Sequence, residues 1–496
     1  MPPSFRQLAP RVCVAAVFSA LSSLAAASPA TEPPQTSTLM IGQWTVITRS
    51  SVIAQSLAAE SDALARIADA SELASRMQRV AIDGAGVISV ETLVDAEAKT
   101  MSLDIVKASI NADGAFGRIF APLDGAPVTK EGLEAKTRIA QEAARYNNES
   151  LSIKINNGEE AGSPMSVSVR SEAVLERSWG GNLTVSNYGQ RYSGRDLATL
   201  SGYARLGHET QAQLALTTGL SGAREDSKGG FYRSGSLTLD HVFSMSIGSL
   251  RLSDTRYKQG GALRAYDQRG RIQRFDLELK VPLSAASTAT YGGGFIRQET
   301  AFGAAGLTER ASLSFVSVGY AYAAGPLSWN AKLTQGLSSS RSFNVAPLTG
   351  EMAPRFTALP VEARYGFDLD GGWALDLSGS AQIGSKGTPS SMQFYAGGPD
   401  RGRAFNTGNI AGPAGAAASA MMSKGLDNGF TIYAGLDAAR VKQVVGPTLS
   451  QSSMFAGLTG GLGARARFDI GLAKPIATPP GVSKKPQVSL MLNIGF

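Results

Sequence analysis

From residue 175 to the end of the chain, apolar and polar residues trade places at every second position in short runs separated by turns. Such runs cover 182–186, 197–205, 211–219, 236–243, 272–281, 312–322, 327–334, 373–383, 430–441 and 464–473. A period of two marks strands whose two faces meet different surroundings. At about 20 residues per strand and connection, region 175–496 holds roughly 16 strands, within the even-numbered range of membrane barrels. The last run, 487–496, puts Val488, Leu490, Leu492, Ile494 and Phe496 in one phase. With nothing after it to cover that face, lipid is the expected cover. An open strand edge is not tolerated in hydrocarbon, so this strand should close against the first. The pattern predicts an all-β transmembrane barrel of about 16 antiparallel strands, preceded by small α+β domains.

The connections divide into two kinds. Those at 368–372 and 425–429 are tight, whereas 384–413, 442–453 and 474–486 are long. Short turns on the periplasmic side and long loops outside are the asymmetry expected of such a barrel. With the final strand counted as the sixteenth, 384–413 becomes the sixth outside loop.

Before residue 175 the grammar differs. Arg6 and Arg11 precede a mostly apolar run at 12–24 and the small residues Ala25, Ala26 and Ala27, which read as a secretory signal over 1–27, with cleavage after Ala30 as the rival. The run is too short to span a bilayer as a helix. Residues 28–50, opening with a Pro/Ser/Thr-rich stretch, read as a linker. Over 51–80, Leu57, Leu64, Ile67, Leu73, Met77 and Val80 recur at helical spacing, and 87–94 and 102–110 are strand-like. A small α+β unit over 51–110 follows. A second covers 102–174: a strand, glycines 114, 117 and 125, a helix over 130–147 with Thr129 as its N-cap, then alternating strands around Leu151 and Val167 joined by a polar turn at 156–162. This second unit resembles a POTRA domain, the periplasmic polypeptide-transport module, and the first resembles a divergent one. The resemblance implies capture of unfolded chains by strand addition at an exposed sheet edge.

Composition narrows the chemistry. The single cysteine, Cys13, lies within the signal, so a disulfide or thiolate metal site is not expected, and His208 and His241 are too few for a histidine cluster and read as barrel-wall or girdle residues. The net charge of +7 comes from scattered basic residues rather than a cluster, so no nucleic-acid partner is expected. No cofactor is expected either, and no serine-hydrolase elbow, zincin helix or Walker loop occurs.

One long connection carries a motif. Residues 394–405 read F-Y-A-G-G-P-D-R-G-R-A-F. The stretch resembles the sixth-loop signature of the TpsB family, the two-partner secretion transporters related to the filamentous haemagglutinin and haemolysin exporters. Gly397 and Gly398 match its opening glycines, Arg403 its arginine and Phe405 its aromatic, while Gly402 and Ala404 replace the usual Val and Gly. The resemblance implies a loop folded back into the lumen with its arginine paired to an aspartate on the inner wall of a late strand. Here Gly435-Leu436-Asp437 offers that aspartate. Parity agrees independently, because Ile432, Ala434, Leu436 and Ala438 share the lipid-facing phase and turn Tyr433, Gly435 and Asp437 inward. A bidentate contact between Arg403 and Asp437 is the expected geometry. The resemblance further implies an outer-membrane protein with its N-terminal domains in the periplasm. Its partners would be an unfolded, TpsA-like secreted client, outer-membrane lipid, and the barrel-assembly machinery acting through the C-terminal strand. Passive solute diffusion and insertion of other barrel proteins are the alternatives.

Overall fold

The computed structural model describes residues 36–496 except 113, 157–165, 175–176, 221–224, 344–354, 427–428 and 445. The signal expected over 1–27 lies outside the described residues, as does most of the polar turn at 156–162. The chain falls into two compact units: residues up to Ala108 with Ala126–Val128 and Asn156–Ser166, and the remainder to Phe496.

The first unit starts earlier than the sequence pattern suggests. Strands β1 (Ser37–Ile41) and β2 (Trp44–Thr48) form a hairpin inside the segment expected as linker, turning at Gly42, whose φ of +58° favours glycine. Helices α1 (Ser51–Ala59), α2 (Ser61–Leu64) and α3 (Ala70–Ala85) follow, then β3 (Val90–Asp95) and β4 (Thr100–Ile105). The sheet order is β1-β2-β4-β3, with β2 and β4 parallel. Its core joins Ile41, Trp44, Val46, Ile53, Leu57 and Leu64 to Leu73, Met77, Met101 and Leu103, all buried. Each such side chain contributes about 1.5–3 kcal/mol by leaving water. The linker is therefore corrected to end before Ser37, because β1 and β2 bury that core's first three side chains.

The second unit opens with a small domain: β5 (Ser109–Ala112), α4 (Gly114–Phe120), α5 (Lys130–Asn147), β6 (Glu149–Asn156) and β7 (Ser166–Ala173), with sheet order β5-β7-β6. The overlap between the two expected domains resolves here, because β4 ends at Ile105 in one sheet and β5 begins at Ser109 in the other. Thr129 caps α5 by accepting the Gly132 N–H at 3.0 Å, and Asn148 ends it at φ +66°. Both domains share one plan, in which a strand, a helical stretch and two strands place the last strand in the middle.

The barrel follows. Its first eight strands are β8 (Trp179–Ser186), β9 (Leu197–Gly207), β10 (Thr210–Gly219), β11 (Phe231–Val242), β12 (Ile247–Lys258), β13 (Gln268–Pro282), β14 (Ser287–Phe302) and β15 (Leu307–Ala324). Next come β16 (Leu327–Phe343), β17 (Thr357–Leu369) and β18 (Trp373–Gly384). Two short strands, β19 (Phe394–Ala396) and β20 (Ile410–Gly412), pair only with each other. The wall resumes with β21 (Ala414–Gly425), β22 (Phe430–Lys442), β23 (Thr448–Leu462), β24 (Ala466–Ala477) and β25 (Gln487–Gly495). Sixteen strands close into one antiparallel cylinder. Closure joins β25 to β8, with Met491 opposite Ser186 and Gly495 opposite Asn182. The Asn187 side chain extends the seam, donating to the Val488 carbonyl at 2.8 Å and accepting from the Leu490 N–H at 2.9 Å. Val488, Leu490, Ile494 and Phe496 stand exposed on the outer face, with Leu492 half-buried among them.

Connections alternate between a short-turn end and a long-loop end. The expected loops 442–453 and 474–486 are shorter than predicted, since β23 already starts at Thr448 and β24 runs on to Ala477. His208 lies in the turn between β9 and β10 at φ +47° rather than in the wall, while His241 sits on β11 with its Nδ1 2.9 Å from the Thr210 hydroxyl. The helix α5 docks on the short-turn end. Lys136 donates to the Ser244 carbonyl at 3.0 Å, Arg118 donates to both carboxylate oxygens of Glu209 at 2.7 and 3.0 Å, and the Glu209 N–H donates to Asn147 at 2.8 Å. Burial of Lys136 pushes its ammonium below the usual lysine range.

Candidate functional site

The connection between β18 and β21 is the sixth at the long-loop end, and it folds onto the inner wall instead of standing outward. Phe394, Ala396 and Ile410 pack on Ala417, Ala439 and Val441, while Ala404 and Phe405 pack on Tyr433, Phe455 and Ala473. Glycines permit the required backbone. Gly397 and Gly398 take φ of +103° and +90°, and a Cβ on Gly397 would lie 2.2 Å from the Asn406 carbonyl oxygen. Their N–H groups donate to the carbonyls of Arg401 and Phe405, both at 2.9 Å, closing a compact knot. Gly402, which departs from the usual signature, adopts φ +134°. Glycine suits that position, and its lack of a Cβ leaves room for Gln451, whose Nε2 would be 2.6 Å from an added Cβ.

The aspartate and the arginine do meet, by a different contact from the one expected. The Arg403 main-chain N–H donates to Asp437 Oδ2 at 2.9 Å, and the Ser453 hydroxyl donates to Asp437 Oδ1 at 2.5 Å. Asp437 is 5% exposed and Ser453 fully buried, so the carboxylate is spent on two neighbours that hold the loop. The guanidinium of Arg403 has no carboxylate within 4.0 Å among the described residues. It stacks between the rings of Phe455 and Tyr433, 4.2 and 5.0 Å from their centroids, and its Nε donates to the Pro399 carbonyl at 3.1 Å. The wall is shaped for those rings. A Cβ on Gly435 would meet Phe455 at 2.6 Å, and one on Gly457 would meet the Tyr433 hydroxyl at 2.3 Å. Tyr433 in turn donates to Asp469 on β24 at 2.9 Å.

Several residues outside the sequence prediction complete the attachment. Gln451 receives the Asn409 amide at 2.9 Å and donates to the Arg401 carbonyl at 3.3 Å. Arg401 makes the loop's ion pair, donating to Glu362 on β17 at 2.8 Å while its guanidinium lies 4.7 Å from the Phe394 ring. Ser390 and Gln298 exchange hydrogen bonds at 2.8 and 3.0 Å, and Thr407 donates to the Tyr188 carbonyl of the first long connection. Ser453 on β23 lies directly opposite Asp437, and the same strand carries Gln451 and Phe455 in the same phase. Reading 442–453 as loop hides it. The site holds one chain segment against another. Among the described residues, no group of three or more His, Cys, Asp or Glu side chains is placed to hold a metal.

No known family model matches this sequence, and no curated protein does. Solved structures do. CdiB from Escherichia coli superposes with a TM-score of 0.70 at 15% identity, covering 95% of this chain and 92% of that one. CdiB from Acinetobacter baumannii gives 0.64 at 14% identity over the full length of both chains. BamA from Haemophilus ducreyi lacking POTRA domains 1–3 gives 0.53 at 12% identity, covering 93% of this chain and all of that one. The fold is thus that of a closed sixteen-stranded antiparallel barrel preceded by small α+β domains, the architecture it shares with these proteins.

Proposed function

We propose that this chain is an outer-membrane transporter that receives an unfolded partner protein in the periplasm and exports it through its barrel. The observation that carries the reading is the inserted connection between β18 and β21, fastened to the inner wall at Asp437, Ser453 and Gln451 and reaching across to Glu362. A segment fastened at this many points inside the lumen narrows it, which favours a conduit opened for a particular client over a freely open solute pore. The two POTRA-type domains supply exposed sheet edges suited to a client without a fixed side-chain pattern. The fold shared with the CdiB proteins supports export, and BamA marks barrel insertion as the rival within the same architecture. The N-terminal domains are assigned to the periplasm, the long connections to the exterior, and the final strand to recognition by the barrel-assembly machinery.

Arg403→Ala tests the reading directly. It removes the stacked guanidinium and leaves the amide that meets Asp437. Expected is a barrel that still reaches the outer membrane in heat-modifiable form, while a co-expressed partner protein no longer accumulates outside the cell. Undiminished export would overturn the role given to this segment.

A further inference from the structure

We propose that the outer wall over β11–β15, at its long-loop end, is a seat for an anionic, phosphate-bearing lipid of the outer leaflet; this rests on the membrane-barrel reading above. Cross-strand register arranges this face in rows. The lowest is apolar and exposed: Leu214, Leu237, Leu252, Phe275 and Phe295 stand opposite one another on consecutive strands. Two residues farther along each strand, about 7 Å nearer the long loops, the row contains Asp254, Gln273 and Arg297. The next contains Arg233, Arg256, Arg271, Glu299 and Arg310. Five arginines face two carboxylates, which leaves three positive charges uncompensated at the edge of the apolar belt.

The carboxylates splint the array more than they neutralise it. Asp254 accepts from Arg256 at 3.0 Å and from Arg271 at 2.7 Å, and Glu299 accepts from Arg310 at 3.0 Å. Arg233 and Arg297 have no carboxylate within 4.0 Å among the described residues. Arg297, Gln273 and Asp254 also border a surface groove of about 560 Å³ that is lined by all five residues of the apolar row together with Gly235, Ser236, Ser253 and Arg274. A groove that is greasy on one side and cationic on the other fits a molecule with acyl chains below and phosphate above. Guanidinium groups bind phosphate in a bidentate manner, and acyl chains cover the leucines and phenylalanines without loss of hydrogen bonds. Arginines dedicated to solvation alone would not need splinting in register beside such a groove.

The full-length protein, purified and exchanged into phosphatidylcholine vesicles doped with bisphosphorylated lipid A or with its dephosphorylated form, provides the test. Co-retained lipid is counted after extraction. The bisphosphorylated form should be retained selectively. Arg233→Gln with Arg297→Gln should weaken that retention roughly 25-fold, at about fivefold per arginine, while Lys424→Gln at the opposite end should leave it unchanged. Excess inorganic phosphate should not displace the lipid. Equal retention of the two lipids, an unaltered double variant, an equal loss in the Lys424 variant, or displacement by free phosphate would each overturn the inference. Failure to insert into vesicles at all would instead bring down the barrel reading and this inference with it.

Discussion

Two stretches of the inner wall face the same lumen and solve the problem of polar side chains in opposite ways. Along β13 and β16, charged residues compensate one another: Arg274 donates to Asp276 at 2.6 Å, and Lys332 donates to Glu278. Along β22–β24 the wall offers small residues, two aromatic rings and one carboxylate, and a segment of the chain completes them. The first stretch is finished in itself and leaves its surface to water. The second is finished only by the loop: the Ser453–Asp437 and Tyr433–Asp469 hydrogen bonds stay within the wall, but Asp437 loses the Arg403 amide and the two rings lose the guanidinium whenever the loop leaves. A wall that is self-sufficient tolerates traffic past it, whereas a wall that needs a guest holds that guest with a definite free energy.

The contrast can be broken most sharply at Asp437. Asp437→Ala strands the buried Ser453 hydroxyl and the Arg403 amide together and should cost about 3–5 kcal/mol of loop attachment. Amide hydrogen exchange over 385–413 should rise to solvent-like rates while the barrel strands stay protected. A loop still protected would show that the carboxylate is not the anchor. Gly457→Ala comes next, because its Cβ would overlap the Tyr433 hydroxyl and also lie 2.6 Å from the Ile470 carbonyl oxygen, which cannot yield. Overpacking of this kind costs about 1–3 kcal/mol and should lower the temperature at which the barrel loses its heat-modifiable mobility. By contrast, Glu278→Gln on the other wall breaks a half-exposed pair worth about 1 kcal/mol or less. It should leave both loop protection and melting temperature nearly unchanged, and an effect as large as that at Asp437 would erase the distinction between the walls.

The smallest effect concerns the docked helix below the barrel. The folded state holds Lys136 below its usual range, so between that lowered value and 10.5 the unfolded chain binds more protons than the folded one. Stability therefore rises with pH through this window. Thermal midpoints measured at pH 8 and pH 10 should diverge in favour of the native chain relative to Lys136→Met, and parallel midpoints would remove the contribution.

Most of the barrel is legible because a strand with two media on its faces has a period that nothing else imitates. The inward phase of Asp437 and the closing role of 487–496 come from the same rule. The loop is legible through its paired glycines, whose backbone angles other residues resist. What the sequence conceals is instructive. The contact between Arg403 and Asp437 runs through a main-chain amide, and an amide belongs to every residue type, so no side-chain motif announces it. The guanidinium finds two rings because Gly435 and Gly457 vacate the space, a fact of cross-strand register. Ser450, Gln451, Ser452 and Ser453 are polar in both phases, which erases the alternation that would have exposed the anchor strand. At the other end, β1 and β2 are short, and their turn at Gly42 is outweighed by the Pro/Ser/Thr-rich stretch before it. Helix α4 contains two glycines, which local preference disfavours and tertiary packing of Phe116, Ile119 and Phe120 secures.

Asn493 and Thr184 touch across the join between the last and first strands although 309 positions separate them in the chain. Contacts of such long separation form late, since the entropy of gathering everything between them must be met first. During biogenesis the nascent cylinder is consequently a curled ribbon with two raw margins. The segment that occupies its interior joins β18 to β21 and fastens to β22 and β23, so it needs no open seam to take its seat, and the pairing of the two margins is the step that comes last.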